Sequence, residues 1–313
     1  MTTTTAPAVK VRQRPGDRWF SGTALFAGSM ILVTLAAVAL FLIVQSIPGL
    51  TATSDTASLL TSNFWAYVAP LAFGTVWASL LALLMAVPLS VAVALFISHY
   101  APRRLAQALG YIVDLLAAVP SVVFGLWGIM VLAPAVQPIY AWLNANMGWF
   151  PLFSGTVSST GRTIFTAAIV LAVMVVPIIT AICREIFLQT PVLHEEAALA
   201  LGATRWEMVK MAVFPFGRSG IVSASMLGLG RALGETMAVA MVLSVANVVS
   251  FRLFTAENPG TIPANIALTF PEAYGTNINV LIATGLILFV VTFAVNALAR
   301  WIVSRRKEFS GAN

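Results

Sequence analysis

Residues 230–242 read GRALGETMAVAMV: an arginine and a glutamate four residues apart, inside a run over 219–247 that is otherwise apolar or small. Whether that run lies at lipid depth decides the fold, and the composition around it answers. Of 313 residues, 59% are hydrophobic and 9% charged, whereas a soluble globular chain is about a quarter charged. The chain is an integral membrane protein.

A helix needs roughly 20 apolar residues to cross a bilayer core. Six runs meet this, at about 22–47, 71–98, 109–133, 163–183, 219–247 and 278–303. The predicted fold class is all-α, a polytopic transmembrane helical bundle of about six spans. The first run follows a basic stretch, but it is longer than the apolar core of a signal peptide and lacks a small-x-small cleavage site; it is expected to remain as the first span.

The formal charge of +6 comes from 17 basic and 11 acidic residues. With the N-terminus placed inside, fourteen of the seventeen cations fall on the cytoplasmic side: Lys10, Arg12, Arg14, Arg18, Arg103, Arg104, Arg184, Arg205, Lys210, Arg218, Arg300, Arg305, Arg306 and Lys307. Arg162 and Arg252 fall outside, and Arg231 within a span. The basic excess therefore reads as positive-inside orientation with both termini in the cytoplasm of a multi-pass protein of the cell (inner) membrane, with attraction to anionic lipid headgroups rather than nucleic acid. One cysteine, Cys183, excludes an internal disulfide, and His99 and His194 are too isolated for a metal cage. No metal or cofactor is expected.

Residues 1–18 are polar, proline-containing and aperiodic, and predict a disordered basic tail; 309–313 form a short tail, with one membrane domain over 19–308 between them. Pro88, Pro120 and Pro177 fall inside predicted spans two, three and four, where each removes a backbone donor. Gly125 and Gly128 permit close helix approach. The aromatics of WLNANMGWFPLF (142–153) and FRLF (251–254), in predicted outer loops, read as headgroup-level anchors or as a docking surface for an extracytoplasmic partner.

Between the fourth and fifth runs, residues 184–218 carry helix punctuation. Thr190 is placed to cap a helix with Pro191 in its first turn and Glu195 and Glu196 early, where carboxylates favour the positive dipole end. Gly202 supplies a stop. Thr204 and Glu207 form a capping-box pattern that starts a second short helix towards Phe214 and Pro215. Leu193, Ala197 and Leu201 recur every four residues and give the first helix one apolar face. That face suits the protein's own spans, the inner headgroups or a partner's groove.

EAALALG (196–202), with Pro215 at the right distance, resembles the EAA loop of permease subunits of binding-protein-dependent ABC importers. Glu196, Ala197, Ala198, Gly202 and Pro215 match; Ala212 and Phe214 replace aliphatic residues. The resemblance implies a type I importer permease fold and makes 184–218 the loop that couples to an ATPase. RALGETMAVAMV (231–242), VPSVVFGLWG (119–128) and YAPRR (100–104) are similar to the phosphate-importing branch, while sulfate and molybdate permeases tend to continue RALGE with F-G-A. The partners so implied are a PstA-like second permease, a PstB-like ATPase dimer, a PstS-like phosphate-binding protein, and phosphate as cargo. The chain has no G-x-x-x-x-G-K-[ST] loop and is not expected to be an enzyme itself. The competing readings are a sulfate or molybdate importer permease and a self-contained secondary transporter or channel.

With span five starting near Ser219, Arg231 lies about 18 Å along it, near the middle of a roughly 30 Å core. Spacing of i, i+4 puts Arg231 and Glu235 on one helix face, where they can pair. The guanidinium fork matches phosphate oxygens. The two are therefore expected to be an exchangeable pair on the substrate pathway, in keeping with what the resemblance implies for this Arg and Glu.

Overall fold

A computed structural model describes residues 15–307 of the protein, so that residues 1–14 of the predicted 1–18 tail, and 308–313 with the predicted 309–313 tail, lie outside them. The chain runs α1 (Pro15–Leu50), α2 (Phe64–Leu95), α3 (Arg103–Ala117), α4 (Ser121–Trp127), α5 (Ala133–Met147), α6 (Ile164–Leu188), α7 (Val192–Ala200), α8 (Arg205–Met208), α9 (Phe214–Leu233), α10 (Met237–Val242), α11 (Ile262–Thr269) and α12 (Thr276–Lys307). Helix α1 already starts at Pro15, so residues 15–18 belong to it and not to an irregular tail.

Among the described residues, six helical stretches are long and apolar enough to cross a membrane: Trp19–Leu50, Phe64–Tyr100, Ser121–Met147, Ile164–Leu188, Arg205–Leu233 and Thr276–Trp301. Helix α6 is the centre, packed between α2 and α9, with Ile164, Leu171, Met174, Val175 and Ile179 all almost completely buried. Helices α1 and α12 pair at the periphery, and the apolar side chains of α1 face outward along its length, as lipid contact requires.

Two spans differ from the expectation. The third does not begin at 109. Pro120 lies outside any helix, with φ −60° and ψ 141°, and caps α4, because proline has no N–H and pushes the residue before it out of the helical region. Residues 103–117 instead form a separate amphipathic helix, α3. It lies on α6 where Gly110 leaves room for the Arg184 side chain, whose Nη2 reaches Glu185 at 2.7 Å and Asp114 at 4.0 Å. The fifth span ends at Leu233 rather than 247. Pro88 and Pro177 do lie inside α2 and α6.

Among the described residues, three π turns lie within or at the end of spans, over Phe96–Tyr100, Gly128–Leu132 and Val209–Val213. Each ends two residues before a proline, Pro102, Pro134 or Pro215. In each, the residue just before that proline donates its N–H five residues back: Ala101 to Phe96, Ala133 to Gly128 and Phe214 to Val209. A proline ring collides with the carbonyl one turn earlier, and the extra residue of a π turn opens that turn. Hence α8 runs on into α9, where a separate short helix was expected.

The helix directions place Arg103, Arg104, Arg184, Arg205, Lys210, Arg218 and Arg300 at one end of the bundle, and Arg162 and Arg252 at the other. At that opposite end the two aromatic loops pack on one another. Phe254 is buried and stacks on Tyr140 at 4.5 Å and Phe153 at 5.0 Å, so it is core and not a headgroup anchor. Trp142 and Trp149 are exposed, as anchors would be, although Trp142 belongs to α5 rather than to a loop.

Gly125 and Gly128 carry close packing. A Cβ at Gly128 would come within 2.7 Å of Val170 and 2.8 Å of Val242, and one at Gly125 within 3.0 Å of Ala238. Gly128→Val is therefore expected to cost about 1–3 kcal/mol by overpacking, seen as a lower thermal midpoint in detergent. Gly22→Val, with nothing within 4 Å, should leave the midpoint unchanged.

Candidate functional site

The run that opened the question is a broken helix. Helix α9 stops at Leu233, Gly234 caps it, and α10 starts at Met237. Gly228, six residues before the cap, fits against Val175 and Ile179, and Val242 at the end of α10 meets Val170 around Gly128, so the break lies between these levels, alongside the first half of the 25-residue α6. Irregular backbone at membrane depth is tolerated where it lines a cavity or is buried in protein.

The break separates the two charges. Arg231 sits in the last turn of α9, exposed, and makes no ion pair or hydrogen bond among the described residues. It lines an open cleft of about 640 Å³ with Ile178, Ser223, Met226, Leu227, Gly230 and Asn296. Glu235 is 9% exposed, and its Oε1 accepts from the Ala238 N–H at 3.1 Å, at the start of α10. The expected Arg231–Glu235 pair is thus not made in this chain, because continuous i, i+4 geometry ends at Gly234. Each charge is matched to a half-helix end instead: the cation to the carbonyl end of α9, the carboxylate to the amide end of α10.

Along α9, Ser219, Ser223, Leu227, Gly230 and Gly234 share the exposed side with Arg231. Most are small, so the cleft is shallow near the arginine, and nothing lies within 4 Å of a Cβ built at Gly230. Ser223 Oγ donates to the Ser219 carbonyl at 2.9 Å. Chemically, this is a lone guanidinium at mid-depth in a cleft that is otherwise mostly apolar, able to hold an oxyanion bidentately.

The second constellation is at the basic end. Pro191, not Thr190, holds the N-cap position of α7, with φ −60° and ψ 120°; Thr190 lies one residue earlier, buried, its Oγ1 without a partner. The stop is as expected. Gly202 has φ +85°, its N–H bonds to the Leu199 carbonyl at 3.0 Å, and the Ala203 N–H bonds to the Ala198 carbonyl at 3.2 Å. That is the Schellman pattern, for which a left-handed glycine is suited. Thr204 and Glu207 form the capping box.

Of the five matched positions, Glu196, Ala197, Ala198 and Gly202 come together on α7 and its cap, while Pro215 lies in the first turn of α9. Ala198 is 8% exposed and faces the bundle. Glu196, Ala197 and Gly202 are exposed. Leu193 is 76% and Leu201 90% exposed, so the apolar face of α7 is not turned onto the protein's own spans.

Sequence reasoning missed Ser223 and Asn296 beside Arg231, which carry no motif, and a hub at the opposite end. There Asn258 accepts from the Ile164 N–H at 2.9 Å and donates to the Ser244 carbonyl at 2.9 Å, while Arg162 donates to the Met241 carbonyl at 3.1 Å. The signal available was the turn tripeptide Asn-Pro-Gly at 258–260.

The chain is 50% identical to phosphate transport system permease protein PstC 2 of Mycobacterium tuberculosis, over 95% of this chain and 96% of that protein. It is 46% identical to PstC of Mycobacterium leprae, over 93% and 94%. In fold it is similar to a chain of a bacterial ABC transporter that imports the acidic polysaccharide alginate, with a TM-score of 0.61 at 17% identity, covering 91% of this chain and 96% of that one. Residues 86–308 match a family that includes the α7 loop, the broken helix and α12. The chain belongs to the family of binding-protein-dependent transport system inner membrane components.

Proposed function

We propose that this chain is a permease subunit of an ATP-driven phosphate importer, forming the translocation pathway with a second permease. The observation that carries the reading is the mid-depth cleft with Arg231 at its edge, in a chain whose relatives are named as phosphate permeases. Arg231 binds the anion on its way through, and Glu235 fixes the start of α10 so that the break, and with it the arginine, keeps its place. The cleft is open on the side where a PstA-like permease closes it. Without a protein neighbour there, a bare guanidinium would face hydrocarbon at a cost of several kcal/mol.

Energy enters through α7. Its exposed Leu193, Ala197 and Leu201 face is the surface that seats in a PstB-like ATPase dimer, and a PstS-like binding protein delivers phosphate at the opposite end. A related alginate importer is described in complex with a ligand-bound periplasmic protein, which supports that arrangement. The basic end is cytoplasmic, with both termini inside, on the strength of the cation distribution. In a Cys183→Ser background, Ala200→Cys should react only with reagents that enter the cell; labelling from outside in sealed cells overturns the orientation.

The test of the functional reading is copurification. The tagged chain, extracted under mild conditions, should bring with it a second permease and an ATP-binding subunit. A chain that transports phosphate when purified alone would overturn the reading in favour of a self-contained transporter.

A further inference from the structure

Glu195 precedes the matched E-A-A triplet by one residue, and nothing in the pattern assigns it a role. Its Oε1 lies 3.2 Å from Nε2 of His99, with the two side chains 21% and 9% exposed. His99 Nδ1 is in turn 2.7 Å from Ser98 Oγ, and that hydroxyl is 2.8 Å from the Ala94 carbonyl. The imidazole is thus held at both nitrogens, one to its own helix and one to α7. Among the described residues, His99–Glu195 is the one side-chain hydrogen bond joining α7 to another element.

Little else holds α7. It packs on the π turn Val209–Val213 and on α8, with Ala198 as its buried residue. The rest of the helix is exposed or nearly so. His99 itself lies in the π turn Phe96–Tyr100, the last turn of the second span, where the hydrogen-bond ladder is wider and less regular than in an α-helix. That span is α2, which packs along α6, Ser90 Oγ donating to the Val176 carbonyl at 3.1 Å. In its other half Thr75 Oγ1 accepts from the N–H of Ile262, the first residue of α11, at 2.9 Å. One helix therefore joins α7 to the start of α11, on the far side of the bundle.

We infer that His99 is a positioning residue for energy coupling: through Glu195 it fastens α7 to the π turn of α2, so that displacement of α7 moves α2. The inference rests on the reading of α7 as the helix that meets the ATPase. It goes beyond that reading by naming the contact through which the movement leaves α7.

The test uses the whole complex in proteoliposomes, measuring phosphate moved per ATP hydrolysed and the ATPase retained on the tagged chain. The variants are His99→Ala, Glu195→Ala, the double variant and His99→Gln, whose amide can donate to Glu195. Each alanine should lower phosphate moved per ATP by about fivefold or more, with ATPase retention unchanged. The double variant should be no worse than either single one, and His99→Gln should recover most of the loss. A wild-type ratio in either single variant, an additive double variant, or no recovery with glutamine overturns the inference. Loss of the ATPase from the His99→Ala complex also overturns it, by giving the residue a role in assembly instead. Failure of the coupling reading itself shows elsewhere, as wild-type ATPase retention and uptake in Glu196→Lys and Gly202→Val.

Discussion

Arg231→Gln should reduce phosphate uptake by about tenfold to a hundredfold while the complex assembles and binds ATP normally. Hydrogen bonds to a charged group are worth about 1.5–3 kcal/mol, and each 1.4 kcal/mol is a factor of about ten. The variant keeps a polar side chain at the lip of the cleft but loses the charge. Because Arg231 makes no ion pair or hydrogen bond among the described residues, removing it leaves no intrachain partner unpaired, so little stability should be lost. Arg231→Lys isolates the geometry: it keeps the charge and loses the planar fork, and uptake should fall between the two. Uptake measured in vesicles containing the assembled complex decides this, and wild-type rates in both variants would remove Arg231 from the pathway.

Gly202→Val should uncouple the subunit from its ATPase. At φ +85° a β-branched residue is strained, at a cost of about 1–3 kcal/mol, and nothing crowds the position to confuse the result, since no atom lies within 4 Å of a Cβ built there. The strain is relieved by losing the Schellman turn, which sets the angle between α7 and α8. We expect the variant to insert normally, and ATPase retention or phosphate-coupled hydrolysis to fall about fivefold to a hundredfold. Glu196→Lys, exposed on the same helix, should act in the same direction without touching the turn. Wild-type retention and uptake in both would show that α7 does not carry the coupling.

The parts legible in the sequence were those set by local chemistry. Six apolar runs gave six spans because a bilayer fixes length and polarity together. Gly202 and the Thr204–Glu207 pair were readable because a left-handed turn and a capping box each need particular residue types in a fixed order. What escaped depended on tertiary context. Pro120 looked like a kink inside a span, but a proline can as well cap a new helix, and hydropathy alone does not separate an amphipathic helix such as α3 from the apolar stretch that follows.

The same limit applied to Arg231 and Glu235. Their spacing implied a pair only if the helix ran through Gly234, and one glycine within an apolar run does not announce a break. The break changes the chemistry. In place of a neutralised pair, the site has a guanidinium open to a cleft and a buried carboxylate holding the next half-helix. His99 and Glu195 are 96 residues apart in sequence, and no pattern in either segment pointed to the other. Their contact follows only from α2 and α6 lying side by side and bringing the π turn after α2 and the helix after α6 to one end.

The most direct test of the central claim is uptake of labelled phosphate into sealed vesicles carrying this chain with its second permease, ATPase and binding protein, with unlabelled phosphate, sulfate and molybdate in competition. The account predicts uptake that requires ATP, is displaced by phosphate, and is not displaced by equal excesses of sulfate or molybdate. Equal displacement by either oxyanion, or phosphate uptake that persists without the ATPase, would contradict it.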